Sequence, residues 1–169
     1  MKLLLTSAGW EKNNDIGKEL KEMVGIPMSK LKVFAVITPD KHYRRNKYVM
    51  RALKIGIAKK NVRFFQLDRK IKSDDLKDQD AIFVFGGNTF DYLDRIRKTG
   101  LDKEIKSFVD SGKVYVGFSA GSYVACPNIK HALWKQADNN RIGLKNLKGL
   151  CLVPFIVTAH FEKSLKSTI

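Results

Sequence analysis

An α/β fold, a mostly parallel sheet with helices on both faces, is what three features of the sequence predict. Short apolar, β-branched runs alternate with segments whose apolar residues recur at helical spacing. Several of the runs are continuous in apolar residues, as strands buried on both faces are. Little of the intervening chain has the composition of a hairpin turn, and most of it is long enough for a helical crossover.

In chain order, Lys2 to Thr6 predicts a first strand, and Asp15 to Val24 a helix with Ile16, Leu20, Met23 and Val24 on one face. Lys32 to Thr38 is a buried strand closed by Pro39-Asp40, and a helix is expected from Tyr43 to Lys60 with Met50, Leu53 and Ile57 inward. Val62 to Leu67 reads as the third strand, Asp68 to Gln79 as a charged loop, and Asp80 to Phe85 as the fourth strand. Phe90 to Lys98 carries acids early and bases late, which suits a helix dipole, with Asn88 or Thr89 as cap and Gly100 as stop. A helix over Leu101 to Val109 leads into a strand at residues 113–118. Lys130 to Leu147 is expected to wrap over the end of the sheet, and Leu150 to Val157 to be a last strand, with Pro154 placing it near an edge.

The 169 residues suffice for one domain with a real core. No apolar run is long enough to cross a membrane, and the three leucines after Lys2 are too short a run for a leader's apolar core. Cys126 and Cys151 have neither metal-type nor disulfide spacing, so a cytoplasmic, reduced setting is expected. The net charge of +15 comes from 32 Lys and Arg against 17 Asp and Glu. These cations are spread over every segment, which argues for a solvated surface and against nucleic acid as partner. Their densest cluster, Lys41-His42-Tyr43-Arg44-Arg45-Asn46-Lys47, keeps an anion-binding role as the alternative.

Chemistry concentrates where strand 113–118 runs into Gly117-Phe118-Ser119-Ala120-Gly121. Gly-x-Ser-x-Gly between a strand and a helix is the form of a nucleophile elbow, a sharp turn that lifts a serine off the end of a sheet. Ligands of parallel sheets bind beyond the strands' carboxyl ends, where Gly86-Gly87-Asn88-Thr89, Ser119 and His160 would all fall. Serine needs a base to remove its proton, usually an imidazole steadied by a carboxylate. Of the three histidines, His160 closes the last expected strand, His131 is a second candidate within reach of the elbow, and His42 heads a basic surface helix. Asp138 is the only acid between Ser119 and His160, and a plain turn-forming role competes with a catalytic one. The amide of Ala120 is the expected oxyanion donor, with a second from the Gly86-Gly87 loop. Cys126, off the turn, reads as a small core residue.

Gly87-Asn88-Thr89-Phe90, Gly117-Phe118-Ser119-Ala120-Gly121, Ala125-Cys126-Pro127-Asn128-Ile129 and Ala159-His160-Phe161 together resemble the peptidase E (aspartyl dipeptidase) family. The resemblance runs from the first strand nearly to the end of the chain. It implies a class I glutamine amidotransferase-like, flavodoxin-like three-layer sandwich. It also implies a cytosolic serine peptidase that needs no metal or other cofactor and hydrolyses dipeptides with N-terminal Asp. Carried over, Ser119 matches the nucleophile, His160 the base, and Gly87 and Ala120 the oxyanion donors; Asn88 and Thr89 fall in the substrate-binding loop. Two departures stand out. The family's acid lies where this chain has Leu133-Trp134-Lys135, so Asp138 requires a shifted loop, and no residue here matches the family's reader of the substrate aspartate. One peptidase E-like domain over 1–169, lacking the C-terminal part, is expected, with an apolar patch near the last strand and a homodimer as one way to cover it. The alternative is a non-catalytic amidotransferase-like binding domain that keeps the elbow.

Overall fold

The computed structural model, which describes residues 1–7, 14–134 and 138–159, shows five strands in one wholly parallel sheet. They are β1 (Lys2–Thr6), β2 (Val33–Val36), β3 (Val62–Phe65), β4 (Ala81–Val84) and β5 (Val114–Phe118), in the order β1-β5-β4-β2-β3. The helices are α1 (Asn14–Val24), α2 (Lys47–Leu53), α3 (Thr89–Thr99), α4 (Leu101–Asp110) and α5 (Ala120–Ala125).

Because side chains alternate across a strand, each central strand feeds two cores. Phe34, Val36, Ile82, Val84 and Tyr115 meet α3, α4 and α5 on one face. Val33, Ala35, Ala81, Phe83, Val114 and Val116 meet Leu20 of α1 and Val49, Ala52 and Leu53 of α2 on the other. Strands β2, β4 and β5 are buried throughout, which is why their sequences are apolar without alternation. Strands β2 and β4 are neighbours, yet the helices that follow them cover opposite faces. The carboxyl ends of β2 and β4 therefore flank a switch point, where such sheets leave a crevice.

Local signals account for α3. Asn88 accepts hydrogen bonds from the amides of Phe90 and Asp91, and Gly100, at φ 81°, ends the helix in the left-handed conformation.

Two expected elements differ from what is observed. The helix expected over Tyr43 to Lys60 is broken into a 3₁₀ turn at Tyr43–Arg45, the seven-residue α2, and a second 3₁₀ turn at Lys59–Asn61. Asn46 takes the N-cap of α2, and Gly56 at φ 97° cannot continue a right-handed helix. The last strand expected over Leu150 to Val157 is not a strand. The amides of Leu150, Cys151 and Leu152 donate to the carbonyls of Val124, Cys126 and Ala125 at the end of α5, so this segment docks on a helix terminus rather than on the sheet. Phe155 and Ile156, beyond Pro154, are exposed. Among the described residues no helix is long and apolar enough to cross a membrane.

Candidate active site

Ser119 sits between β5 and α5 at φ 51°, ψ −110°, a conformation L-residues avoid and elbows require. Backbone contacts impose it. A Cβ on Gly117 would lie 2.8 Å from the carbonyl of Gly121, and one on Gly121 would lie 1.9 Å from the Val84 carbonyl oxygen. Helix α5 can therefore fold back against β5 and β4 only with glycine at both places. The Ser119 amide donates to Thr6 O at 2.9 Å, and its carbonyl accepts from the amides of Ser122 and Tyr123. The amides of Ala120 and Gly121, in the first turn of α5, have no partner four residues back in the helix, which leaves donors directed at the serine's end of the sheet.

The loop after β4 lies against the serine. A Cβ on Gly86 would be 3.4 Å from Ser119 Cβ and 3.9 Å from its Oγ. Gly87 is held between Thr38 and the ring of Tyr92, whose phenol donates to Val36 O at 2.5 Å. Burial raises the Tyr92 pKa well above its ordinary value, so this anchor stays a neutral donor.

Asp138 reaches the same loop across 49 residues of sequence. Its Oδ2 accepts from the Thr89 amide at 3.1 Å and from the Thr89 hydroxyl. Asn88, besides capping α3, donates to Asn139 O at 3.0 Å. Thr89 is fully buried and its hydroxyl is committed to Asp138, so it locates the carboxylate. A cavity of about 490 Å³ opens here, lined by Asn88, Asp91, Asp138, Asn139, Arg141 and Ile142.

His160 lies outside the described residues, but the chain just before it is fixed. The Tyr123 phenol donates to Ala159 O at 3.2 Å and accepts from Ala159 N at 3.1 Å, clamping both backbone groups of one residue. Burial is the main cause of this phenol's raised pKa, and the Asp138 carboxylate is near enough to add to it. Ser119, the Gly86–Thr89 loop, Asp138 and Ala159 are thus tied to neighbouring backbone at one end of the sheet.

His131 is placed otherwise. It is 1% exposed, packed edge-on to Tyr123 with ring centroids 4.6 Å apart, and neither ring nitrogen forms a hydrogen bond among the described residues. Burial lowers its pKa; backbone groups at Val157 and Asn128 oppose the shift without reversing it. It is a neutral core histidine. His42 is exposed in the basic turn before α2. Cys126 is fully buried, its thiol pKa raised by burial, and its sulfur accepts from the Val157 amide at 3.3 Å.

Two residues the sequence did not single out hold the elbow together. Ser122 Oγ accepts from Thr6 N at 3.0 Å and lies 2.8 Å from Thr6 O and 2.9 Å from Gly117 O, joining α5 to β1 and β5. Tyr123 is the clamp described above. A small polar residue directly after the elbow was the available signal for Ser122; Tyr123 had none, because its partner is 36 residues away.

The sequence profile of peptidase family S51 matches residues 3–168. The chain belongs to peptidase family S51. Among its S51 relatives is a peptidase E of Nostoc sp., 30% identical over 155 residues, which are 92% of this chain and 58% of that one. An uncharacterised peptidase of Listeria monocytogenes is 36% identical over 89 residues, 53% of this chain and 43% of its own. The chain therefore spans about half the length of the curated relatives it matches. A crystal structure of a candidate peptidase E protein from Listeria monocytogenes superposes with a TM-score of 0.74 at 28% identity, covering 99% of this chain and 86% of that one. A peptidase from an acI-B1 actinobacterium, 18% identical with a TM-score of 0.63, shares the fold.

Proposed function

We propose that this S51 chain is a serine peptidase of small peptides in which Ser119 is the nucleophile. The observation that carries the proposal is the strained Ser119 turn beside the Gly86–Thr89 loop, whose Thr89 holds Asp138. Ser119 attacks the scissile carbonyl while His160 takes the hydroxyl proton and then returns it to the leaving amine. Asp138 orients that imidazole, and the amides of Gly87 and Ala120 stabilise the oxyanion. Water then releases the acyl group by the same route in reverse order. The resemblance to peptidase E, and relatives bearing that name, favour dipeptides with N-terminal Asp as substrates. The cavity beside Asn88 is of a size that small ligands fill.

The test is release of leucine from Asp-Leu and Ala-Leu by the parent chain, Ser119→Ala and Asp138→Asn, with melting temperature followed in parallel. Ser119→Ala should abolish turnover at unchanged stability. Asp138→Asn should lower turnover by up to ~10⁴-fold, as loss of a triad carboxylate can. A Ser119→Ala chain that keeps the parent rate overturns the mechanism. A well-folded parent inert toward every dipeptide supports a binding domain instead.

A further inference from the structure

Away from the elbow, a second cavity of about 420 Å³ lies between α2 and β3, within the size range of small-molecule sites. Strand β3 stands three positions from β5 in the sheet, roughly 14 Å at ordinary strand spacing, so this cavity is not part of the Ser119 cleft. Its apolar wall is Met50, Leu53, Ile57, Val62 and Phe64. Among the described residues, the polar side chains that line it are Arg44, Lys54 and Lys59, all exposed. None of the three forms an ion pair among the described residues, in contrast to Arg69, Arg95 and Lys98. Arg44 is held in place at the rim. Its Nε donates to the Tyr43 hydroxyl at 3.1 Å, its guanidinium lies 5.6 Å from the Tyr43 ring, and that ring packs on Phe64 at 4.7 Å.

Among the described residues, the lining thus offers an apolar slot, three cations outside any ion pair and no acceptor side chain. A peptide laid in it would leave its amide N–H groups without side-chain partners. A carboxylate on an aliphatic tail has no such donors, and its charge meets the cations while its tail meets the wall. We propose that this cavity binds a free medium-chain fatty carboxylate, with the head group at Arg44, Lys54 and Lys59 and the tail along Leu53, Ile57 and Phe64. The basic cluster before α2, unused by the peptidase site, then supplies part of a separate anion site.

The experiment is calorimetric titration of the full chain with decanoate below its micelle concentration, alongside decyltrimethylammonium and anionic phospholipid vesicles. The Met50 methyl NMR signal serves as a local reporter. Decanoate should bind once per chain and shift Met50, while the cationic amphiphile should not bind. Lys54→Glu/Lys59→Glu should weaken decanoate by about ten-fold or more. Lys103→Glu/Lys106→Glu, an equal charge change on the exposed face of α4, should leave it within about two-fold. Equal weakening in both double variants, equal binding of the two amphiphiles, an unmoved Met50 signal, or binding to vesicles without binding to decanoate would each overturn the proposal. If the first variant fails to fold, the parent's Met50 shift and head-group selectivity still decide.

Discussion

The Ser119 elbow and the α2 segment are both turns around short helices, yet they are held in opposite ways. At the elbow, backbone meets backbone: Gly121 lies where any side chain would strike the Val84 carbonyl, and Ser122 and Tyr123 tie the helix to β1, β5 and Ala159. Around α2 the contacts are side chain on side chain, with a cavity left between Leu53 and Phe64. A chain that must present one hydroxyl at a fixed angle is built from contacts that tolerate no added atom. The α2 surface, where side chains pack over the sheet, is built from contacts that can shift and that leave room for a cavity.

The largest effect expected from this contrast is at the glycines. Gly121→Ala should destabilise the chain by about 3 kcal/mol or more, because the clash is with backbone and cannot be relieved by a rotamer change. Gly17→Ala, in α1 with nothing within 4 Å of its added Cβ, should instead stabilise by about 0.5–1 kcal/mol. Urea unfolding of both variants checks the pair, and similar losses in the two would remove the distinction. A smaller effect is expected at the clamp. Tyr123→Phe keeps the ring packed on His131 but loses both bonds to Ala159, so stability should fall by about 1 kcal/mol. Turnover should fall further than stability does, with a shifted pH profile, if Ala159 positions His160. The smallest effect is a pH slope. His131 is buried neutral with a lowered pKa, so the unfolded chain binds its proton more readily than the folded one. Its contribution is complete above the unfolded value of about 6.5 and is lost as pH falls below it, by at most about 1.4 kcal/mol per pH unit. Melting temperatures between pH 7 and 5 should show this slope in the parent and a flatter one in His131→Phe.

The same contrast explains what could be read from the sequence. Elements whose geometry is set by neighbours along the chain were legible. The cap at Asn88, the stop at Gly100 and the elbow glycines each carry a local chemical signature, and the structure places them as that signature implies. The break at Gly56 was visible but masked by the helical spacing of Met50, Leu53 and Ile57. Residues 150–157 have the composition of a strand, and nothing local shows that their amides are taken by the end of α5. The site divides in the same way. Ser119 and Gly86-Gly87 follow from spacing, whereas the hold of Thr89 on Asp138 joins residues 49 apart and has no local trace.

On the proposed mechanism the elbow makes Ser119 a nucleophile and not merely a strained residue. Reaction of the full chain with a fluorophosphonate, followed by mapping of the adduct by mass spectrometry, tests it most directly. A single adduct is expected on Ser119, lost in His160→Ala and absent from Ser122, which is buried and hydrogen-bonded to Thr6. A folded chain with no adduct at Ser119, or with adducts spread evenly over its exposed serines, would contradict it.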